Sequence, residues 1–337
     1  MITISVCMIV KNEETILARG LNCIKDIADE IIIVDTGSTD RTKEIAYQYT
    51  KKVYDFEWVN DFSAARNYSF SKATMDYIYV ADADEIIDEE NQSKLKILKD
   101  ALLPEIEIVQ MKYTNQLYLG TCYNYDVEYR PKLYKRNREF RWIDPVHETI
   151  DLNPVIYDSE IEIIHMPESN HAKRDFMIFQ KVIKDGERLS KKVFELYARE
   201  LYITGTDEDF IEALDYFNDA LLDETRDQEE IKLALCVLAR AYRIKKDVHN
   251  FFKNCIKNVA INASSEVCYE LGEYYFELED YKEAIIWYHN AAFESESSLN
   301  IHCSGDLPLI KLAKCFTIIG EPDKAIEYEK LVEEWKA

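Results

Sequence analysis

Residues 30–49 read EIIIVDTGSTDRTKEIAYQY. The apolar run Ile31 to Val34 has strand length, and turn-forming residues follow it directly. Gly37 permits a tight turn or a close backbone approach. Ser38, Thr39 and Asp40 are capping residue types, so the pattern predicts a helix over 38–49. A buried strand, a glycine turn and a helix form the repeating unit of a parallel sheet. Ligands of such sheets bind beyond the carboxyl ends of the strands. Asp35 closes this strand at that end.

The unit recurs on both sides. ITISVCMIV (2–10) reads as a buried strand, and EETILARGLNCIKDIA (13–28) as a helix with Ile16, Leu17, Leu21, Ile24 and Ile27 on its stripe. KKVYDFEW (51–58) and DYIYVADAD (76–84) read as the third and fourth strands. Between about 105 and 165, EIEIVQMKY, YRPKLYKR, EFRWIDPVHETI and EIEIIHM look like strands of an antiparallel or mixed extension. Three polar clusters therefore meet at one sheet edge: Lys11-Asn12-Glu13, Asp35, and the acids of VADADEII (80–87). Asp82, Asp84 and Glu85 repel one another and raise one another's pKa, so they need full solvation or a cation. A D-x-D pair at a strand end holds Mg²⁺ or Mn²⁺ through hard oxygens, often together with substrate phosphates. A nucleotide-sugar supplies such a diphosphate. The bland alternative is a solvated acidic turn.

Beyond 170 the signal becomes helical. HAKRDFMIFQKVIKDGERLSKK (171–192) reads as a connecting helix with Met177, Ile178, Val182 and Ile183 as its stripe. From 195 on, residues 265–292 match the tetratricopeptide pattern through Leu271-Gly272, Tyr275, Ala284, Tyr288 and Ala291. Ala313, Phe316 and Ala325 give a second copy. Ala213, Phe217 and Ala220 give half of an earlier one, and Ala239 with Tyr242 a degenerate one. The expected division is a sheet domain over 1–170, a connecting helix over 171–194 and a repeat domain over 195–337. A plain helical bundle is the alternative for the last part.

The bulk numbers narrow the function classes. With 337 residues, 47% hydrophobic and 31% charged, the chain has material for two packed domains. A net charge of −23 argues against a nucleic-acid surface or a polybasic membrane dock. Eight scattered cysteines form no CxxC pair, and several sit in apolar runs, which reads as reduced thiols. There is no signal-peptide pattern, and no apolar run approaches the ~20 residues that span a bilayer. The expectation is a cytoplasmic protein without a transmembrane segment.

VCMIVKNEE, IIIVDTGSTDRT, DFSAARN and YVADADE, in this order and spacing, resemble the family 2 glycosyltransferases with a GT-A fold. The resemblance covers roughly residues 3–170. With the helical tail it narrows to the two-domain protein and peptide glycosyltransferases of the sublancin type. It implies an α/β GT-A (Rossmann-like) nucleotide-sugar domain followed by an all-α tetratricopeptide domain. It also implies Mn²⁺ or Mg²⁺ as cofactor and a UDP-sugar as donor. Val10, Asn12 and Glu13 would line the nucleoside pocket, and Asp35 would accept from uracil or ribose beside Gly37. Many relatives have Asp where this chain has Thr36. Arg66 and Asn67 would face the nucleotide, with Asp61 and Phe62 shaping the pocket. Asp82 would reach ribose and metal past Ala83, Asp84 would bind the metal, and His165 would complete its site. Glu85 would be a supporting residue or a donor-sugar contact. Arg130 and Arg136 would contact diphosphate or sugar.

An inverting transferase also needs a base to deprotonate the acceptor. RWIDPVHE resembles the V-H-E segment of related transferases. Glu148 is the candidate base, with His147 positioning the acceptor and Asp144 in reserve. The resulting expectation is transfer of a hexose or N-acetylhexosamine to a Ser, Thr or Cys side chain of a protein or peptide. A lipid-linked or cell-surface saccharide is an alternative acceptor. A non-catalytic repeat scaffold with a degenerate nucleotide-sugar fold is the alternative of another class. A homodimer through the helical domain is a further expectation.

Overall fold

The structure, a computed structural model, describes residues 1–114, 127–150, 152–166, 172–186 and 188–335. Cys122 and His171 lie outside the described residues. The described residues divide into two compact units, one running to Ile178 and one from Phe179.

The first unit is built on an eight-stranded sheet ordered β3-β2-β1-β4-β7-β6-β10-β5. Its strands are β1 (Ile4–Val10), β2 (Glu30–Asp35), β3 (Val53–Asp55), β4 (Tyr77–Ala81), β5 (Glu85–Ile86), β6 (Ile108–Thr114), β7 (Glu128–Lys135) and β10 (Ile156–His165). β8 (Trp142–Ile143) and β9 (Thr149–Ile150) form a separate small hairpin. The first four strands pair in parallel. β7 runs antiparallel to both β4 and β6, β6 is parallel to β10, and β5 is antiparallel to β10. The sheet is thus parallel on one side and mixed on the other, as the change of pattern near 105 suggests.

Side-chain alternation explains the layers. Ile4, Val6, Met8 and Val10 of β1 pack in one core with α1 (Leu17–Ile24) and Leu95 of α4 (Glu89–Ala101). Cys7 of β1, with Ile32 and Val34 of β2, packs in a second cluster with Tyr68 and Phe70 of α3 (Phe62–Lys72). Strands covered on both faces read as continuous apolar runs, hence the legibility of β1, β2 and β4. The stripe expected of α1 is buried, with Leu17, Leu21 and Ile24 facing the core.

Three expectations change in detail. α2 covers only Thr42–Ala46, because Ser38 and Thr39 bond to the loop after β1 instead of capping a helix. EFRWIDPVHETI is not one strand. It folds back between β8 and β9 with Asp144 at φ +70° and His147 at φ +51°. The helix expected over 171–192 is two, α5 (Ala172–Lys184) and α6 (Lys191–Thr204). Gly186 at φ +77° follows the first, and Ser190 caps the second through Val193 N–H at 3.3 Å.

The second unit is helical throughout: α7 (Asp207–Glu212), α8 (Leu214–Ala220), α9 (Gln228–Ile244), α10 (Val248–Asn262), α11 (Ser265–Glu277), α12 (Tyr281–His289), α13 (Asp306–Ile318) and α14 (Pro322–Glu334). The repeat positions pack as helical pairs. A Cβ on Gly272 of α11 would stand 2.5 Å from the Tyr288 ring of α12, so only glycine allows that approach. In the next pair Phe316 stacks on Tyr328 at 5.4 Å with the rings 6° from parallel. Among the described residues, no helix is long and apolar enough to cross a membrane, and seven cysteines are free.

Candidate active site

The carboxyl ends of β1, β2 and β4 lie side by side, with Val10 opposite Asp35 and Met8 opposite Ala81. The loops beyond β1 and β2 are stitched together. Asn12 N–H donates to Ser38 Oγ at 2.9 Å, and Asn12 Oδ1 accepts from Thr39 N–H at 2.8 Å. Glu13 N–H donates to Thr42 Oγ1 at 2.7 Å, and Glu14 N–H to Asp40 Oδ2 at 3.1 Å. Arg41 N–H returns to Glu14 Oε2 at 3.0 Å. Asn12 holds φ +56°, a left-handed position that asparagine tolerates. Its side chain thus ties the loop after β1 to the loop after β2. Asp35 is buried, and its Oδ1 accepts from Gly37 and Ser38 N–H, both at 2.9 Å. Its Oδ2 is buried without a hydrogen-bond partner among the described residues. Gly37 takes φ +101°, which its turn requires.

After β4 the chain enters the turn that carries Asp82, Ala83 and Asp84. α1 presses against it, and a Cβ on Gly20 would lie 2.9 Å from the Ala83 carbonyl oxygen. Asp82 Oδ1 accepts from Arg66 Nη2 at 3.3 Å, and Asp82 Oδ2 faces Lys132 Nζ at 3.6 Å. Burial works against the charge on Asp82. Arg66, Lys132 and Arg130 nevertheless hold its carboxyl well below the usual carboxylate range. Glu85 is buried and paired with the buried Lys132, which also donates to the Val80 carbonyl at 3.3 Å. Burial pushes the Glu85 carboxyl up to about 7; Lys132 opposes the rise, and Asp82 and Asp84 add to it. Glu85 therefore supports the turn from beneath.

Asp84 faces away from these cations. Its Oδ2 lies 3.2 Å from Nε2 of His165, which β10 brings in beside β5. Met166 N–H to the Asp84 carbonyl, 2.8 Å, locks this neighbour relation. Both side chains are less than a fifth exposed. The carboxylate oxygen is a fit donor for Mn²⁺ or Mg²⁺, and the imidazole nitrogen beside it favours a transition-metal ion over Mg²⁺. Among the described residues no three acids, histidines or cysteines converge on one point. Asp82 thus stands apart from the other two expected metal ligands, since both its oxygens already face protein cations.

The V-H-E turn arrives from the far side. Arg66 Nε donates to Glu148 Oε1, and its guanidinium lies 5.3 Å from the Trp142 ring centroid. Burial opposes the charge on Arg66, but Glu148 and Asp82 raise its pKa above the ordinary arginine value. Asn67 does not face the pocket as expected. Its Nδ2 donates to the Trp142 carbonyl and its Oδ1 accepts from Trp142 N–H, each at 2.9 Å. Asp61 caps α3 by accepting from Ala64 N–H at 3.0 Å. Asp144 and His147 are half-buried in the same turn as Glu148.

Two basic residues of β7 part company. Arg130 stacks on Tyr113 with its guanidinium 3.9 Å from the ring centroid, and its charge reaches Asp82. Arg136 lies at the opposite end of the sheet, where it donates to the Met75 carbonyl. The antiparallel register that pairs Lys135 with Tyr77 sends it there. A further cation that reaches the cluster, Lys132, is absent from the sequence expectation. The signal for it is the two-residue alternation that puts Arg130 and Lys132 on one face of a strand.

The glycosyl transferase family 2 model matches residues 5–146. A TPR repeat-containing protein of Synechococcus elongatus is 35% identical over 159 residues, which are 45% of this chain and 36% of that one. The SPbeta prophage-derived glycosyltransferase SunS of Bacillus subtilis is 29% identical over 234 residues, 65% of this chain and 53% of SunS. These matches span about a third to a half of the relatives' own length. Among solved structures, glucosyl-3-phosphoglycerate synthase of Mycobacterium tuberculosis, in complex with Mg²⁺ and UDP, overlays with a TM-score of 0.40 at 16% identity. That overlay covers 56% of this chain and 81% of that one. The stretch that matches the glycosyl transferase family 2 model carries Asp35, Arg66 and the Asp82–Asp84 turn, and His147, Glu148 and His165 lie beyond it.

Proposed function

We propose that the chain transfers a hexosyl or N-acetylhexosaminyl group from a UDP-sugar to a side chain of a protein or peptide, with inversion and with a divalent cation. The observation that carries this is the charge balance beside the carboxyl end of β4. The four carboxylates of Asp82, Asp84, Glu85 and Glu148 outnumber the cations near them, Arg66, Lys132 and the more distant Arg130, and Asp84 pairs with none of these three, which leaves uncompensated negative charges. One divalent cation beside Asp84 and His165 would neutralise them. When bound, the metal supplies charge for the departing diphosphate. Two protein donors leave most of the coordination sphere to phosphate oxygens and water, the usual habit of Mg²⁺ sites.

The residues of the chain have separate tasks. Asp35 Oδ2, buried and unpartnered, suits an N–H or O–H donor from the nucleoside; an unpaired acceptor of this kind costs about 1–3 kcal/mol. Glu148 receives the acceptor proton as the acceptor oxygen or sulfur bonds to the anomeric carbon. The bond from that carbon to the diphosphate breaks, and its electron pair leaves with UDP. His147 and Asp144 border the acceptor side. The polypeptide acceptor is supported by the helical repeats, because stacked helix pairs form extended binding surfaces. Purified protein incubated with a panel of nucleotide-sugars, with Mn²⁺ or with chelator, should release UDP from one donor only when metal is present. No release from any donor, together with no UDP binding in calorimetry with Mn²⁺, refutes the proposal.

A further inference from the structure

We propose that Arg66 is a positioning residue rather than a nucleotide contact, and that it sets Glu148 against Asp82. The proposal rests on the reading of Glu148 as the base. One edge of the guanidinium holds Glu148 and another reaches Asp82 Oδ1 at 3.3 Å, while the side chain is only 16% exposed. Turning it toward a phosphate would take from Glu148 the cation it pairs with and leave Asp82 with the longer contact to Lys132. Its plane is backed by the Trp142 ring.

The surrounding contacts serve the same end. Phe62, Arg66 and Asn67 all lie on α3, with Phe62 and Arg66 four residues apart on one face. Phe62 N–H holds the Pro145 carbonyl at 2.8 Å, and Asn67 grips both backbone groups of Trp142. One short helix thus fixes the hairpin that carries Glu148 at Trp142, at Pro145 and at Glu148 itself. The same Arg66 side chain reaches across to the strand end that carries Asp82. The acid on the acceptor side and the acid on the donor side are placed by one residue. Lysine cannot reproduce this, because a point charge lacks the planar fork that serves two carboxylates at once.

The test uses the full chain as wild type, Arg66→Ala, Arg66→Lys, Glu148→Gln and Arg66→Ala/Glu148→Gln. UDP affinity with Mn²⁺ is read by calorimetry, and UDP release from the active donor is read with and without added guanidinium. For Arg66→Ala, release should fall roughly 100-fold while UDP affinity changes less than about threefold. Guanidinium should restore about tenfold of that loss, and Arg66→Lys should stay slow although it keeps the charge and the fold. The double variant should be about as slow as the slower single variant, since both act on one step. A fall in UDP affinity that matches the fall in release overturns the proposal and returns Arg66 to the nucleotide. So does an Arg66→Ala defect that guanidinium does not relieve. Full activity in Glu148→Gln overturns instead the base assignment, whatever Arg66 does.

Discussion

Lys132→Met removes the one cation that, among the described residues, pairs with Glu85 beside the Asp82–Asp84 turn. Glu85 titrates near 7 in the folded chain against an ordinary 4.5, so it binds a proton more readily when folded. Its contribution to stability is complete below about pH 4.5 and is lost as pH rises through 7, a span worth roughly 3 kcal/mol. Without Lys132 that penalty deepens. At about pH 8 the variant must bury a carboxylate with no partner, and breaking such a pair costs about 3–5 kcal/mol. At about pH 5.5 Glu85 is largely protonated. The longer contact with Asp82, at 3.6 Å, and the hydrogen bond to the Val80 carbonyl are then lost, about 1–2 kcal/mol. Metal-free thermal melting at the two pH values reads the difference. The deficit at the higher pH should exceed that at the lower by about 2–3 kcal/mol, or roughly 5–10 °C. Adding Glu85→Gln should erase the pH dependence. Equal losses at both pH values would refute the reasoning, because Glu85 would then not titrate in that window.

At the other end of the sheet, Glu30 joins Lys52, Ser5 and Thr74, and although burial opposes ionisation these partners hold its carboxyl down at about 2. Its stabilising contribution is present above about pH 4.5 and lost as pH falls toward 2; Glu30→Gln should cost about 1–2 kcal/mol near neutrality, with Lys52 half in solvent, and flatten acid unfolding measured by circular dichroism. Gly20→Ala should push the Ala83 carbonyl away, destabilise the first unit by about 1–3 kcal/mol and weaken Mn²⁺-dependent UDP binding in calorimetry. Gly272→Ala drives a methyl group into the Tyr288 ring. It should cost about 1–3 kcal/mol in the melting of the helical unit and leave UDP binding unchanged.

The sequence announces the parts of this site that end buried parallel strands. Asp35 and Asp82–Asp84 follow apolar runs directly, so strand and motif identify each other. α3 is harder to see, because the positions it buries are Ser63, Ala65 and Ser69, with no apolar stripe to reveal a helical period. Arg66 is visible as a motif residue, but its two carboxylate partners lie 16 and 82 positions away, and no local pattern encodes that meeting. The same holds for His165, which reaches Asp84 across 81 positions through the pairing of β10 with β5. Arg136 shows the opposite failure. It sits in the same basic cluster as Arg130, yet strand direction carries it to the far end of the sheet. In the helical unit Gly272, Ala284 and Tyr288 are legible because one contact between α11 and α12 selects them.

The clasp between Asn12–Glu14 and Ser38–Thr42 bears on how this pocket could be altered. Each segment supplies side chains that satisfy backbone N–H groups of the other. Neither is complete alone, so together they behave as one heritable cassette. Under the proposed nucleoside-binding role, a graft meant to change base or ribose preference must carry both segments. A chimaera that exchanges only one would leave several amides unsatisfied at the rim and lose the pocket wall before any new selectivity could be expressed.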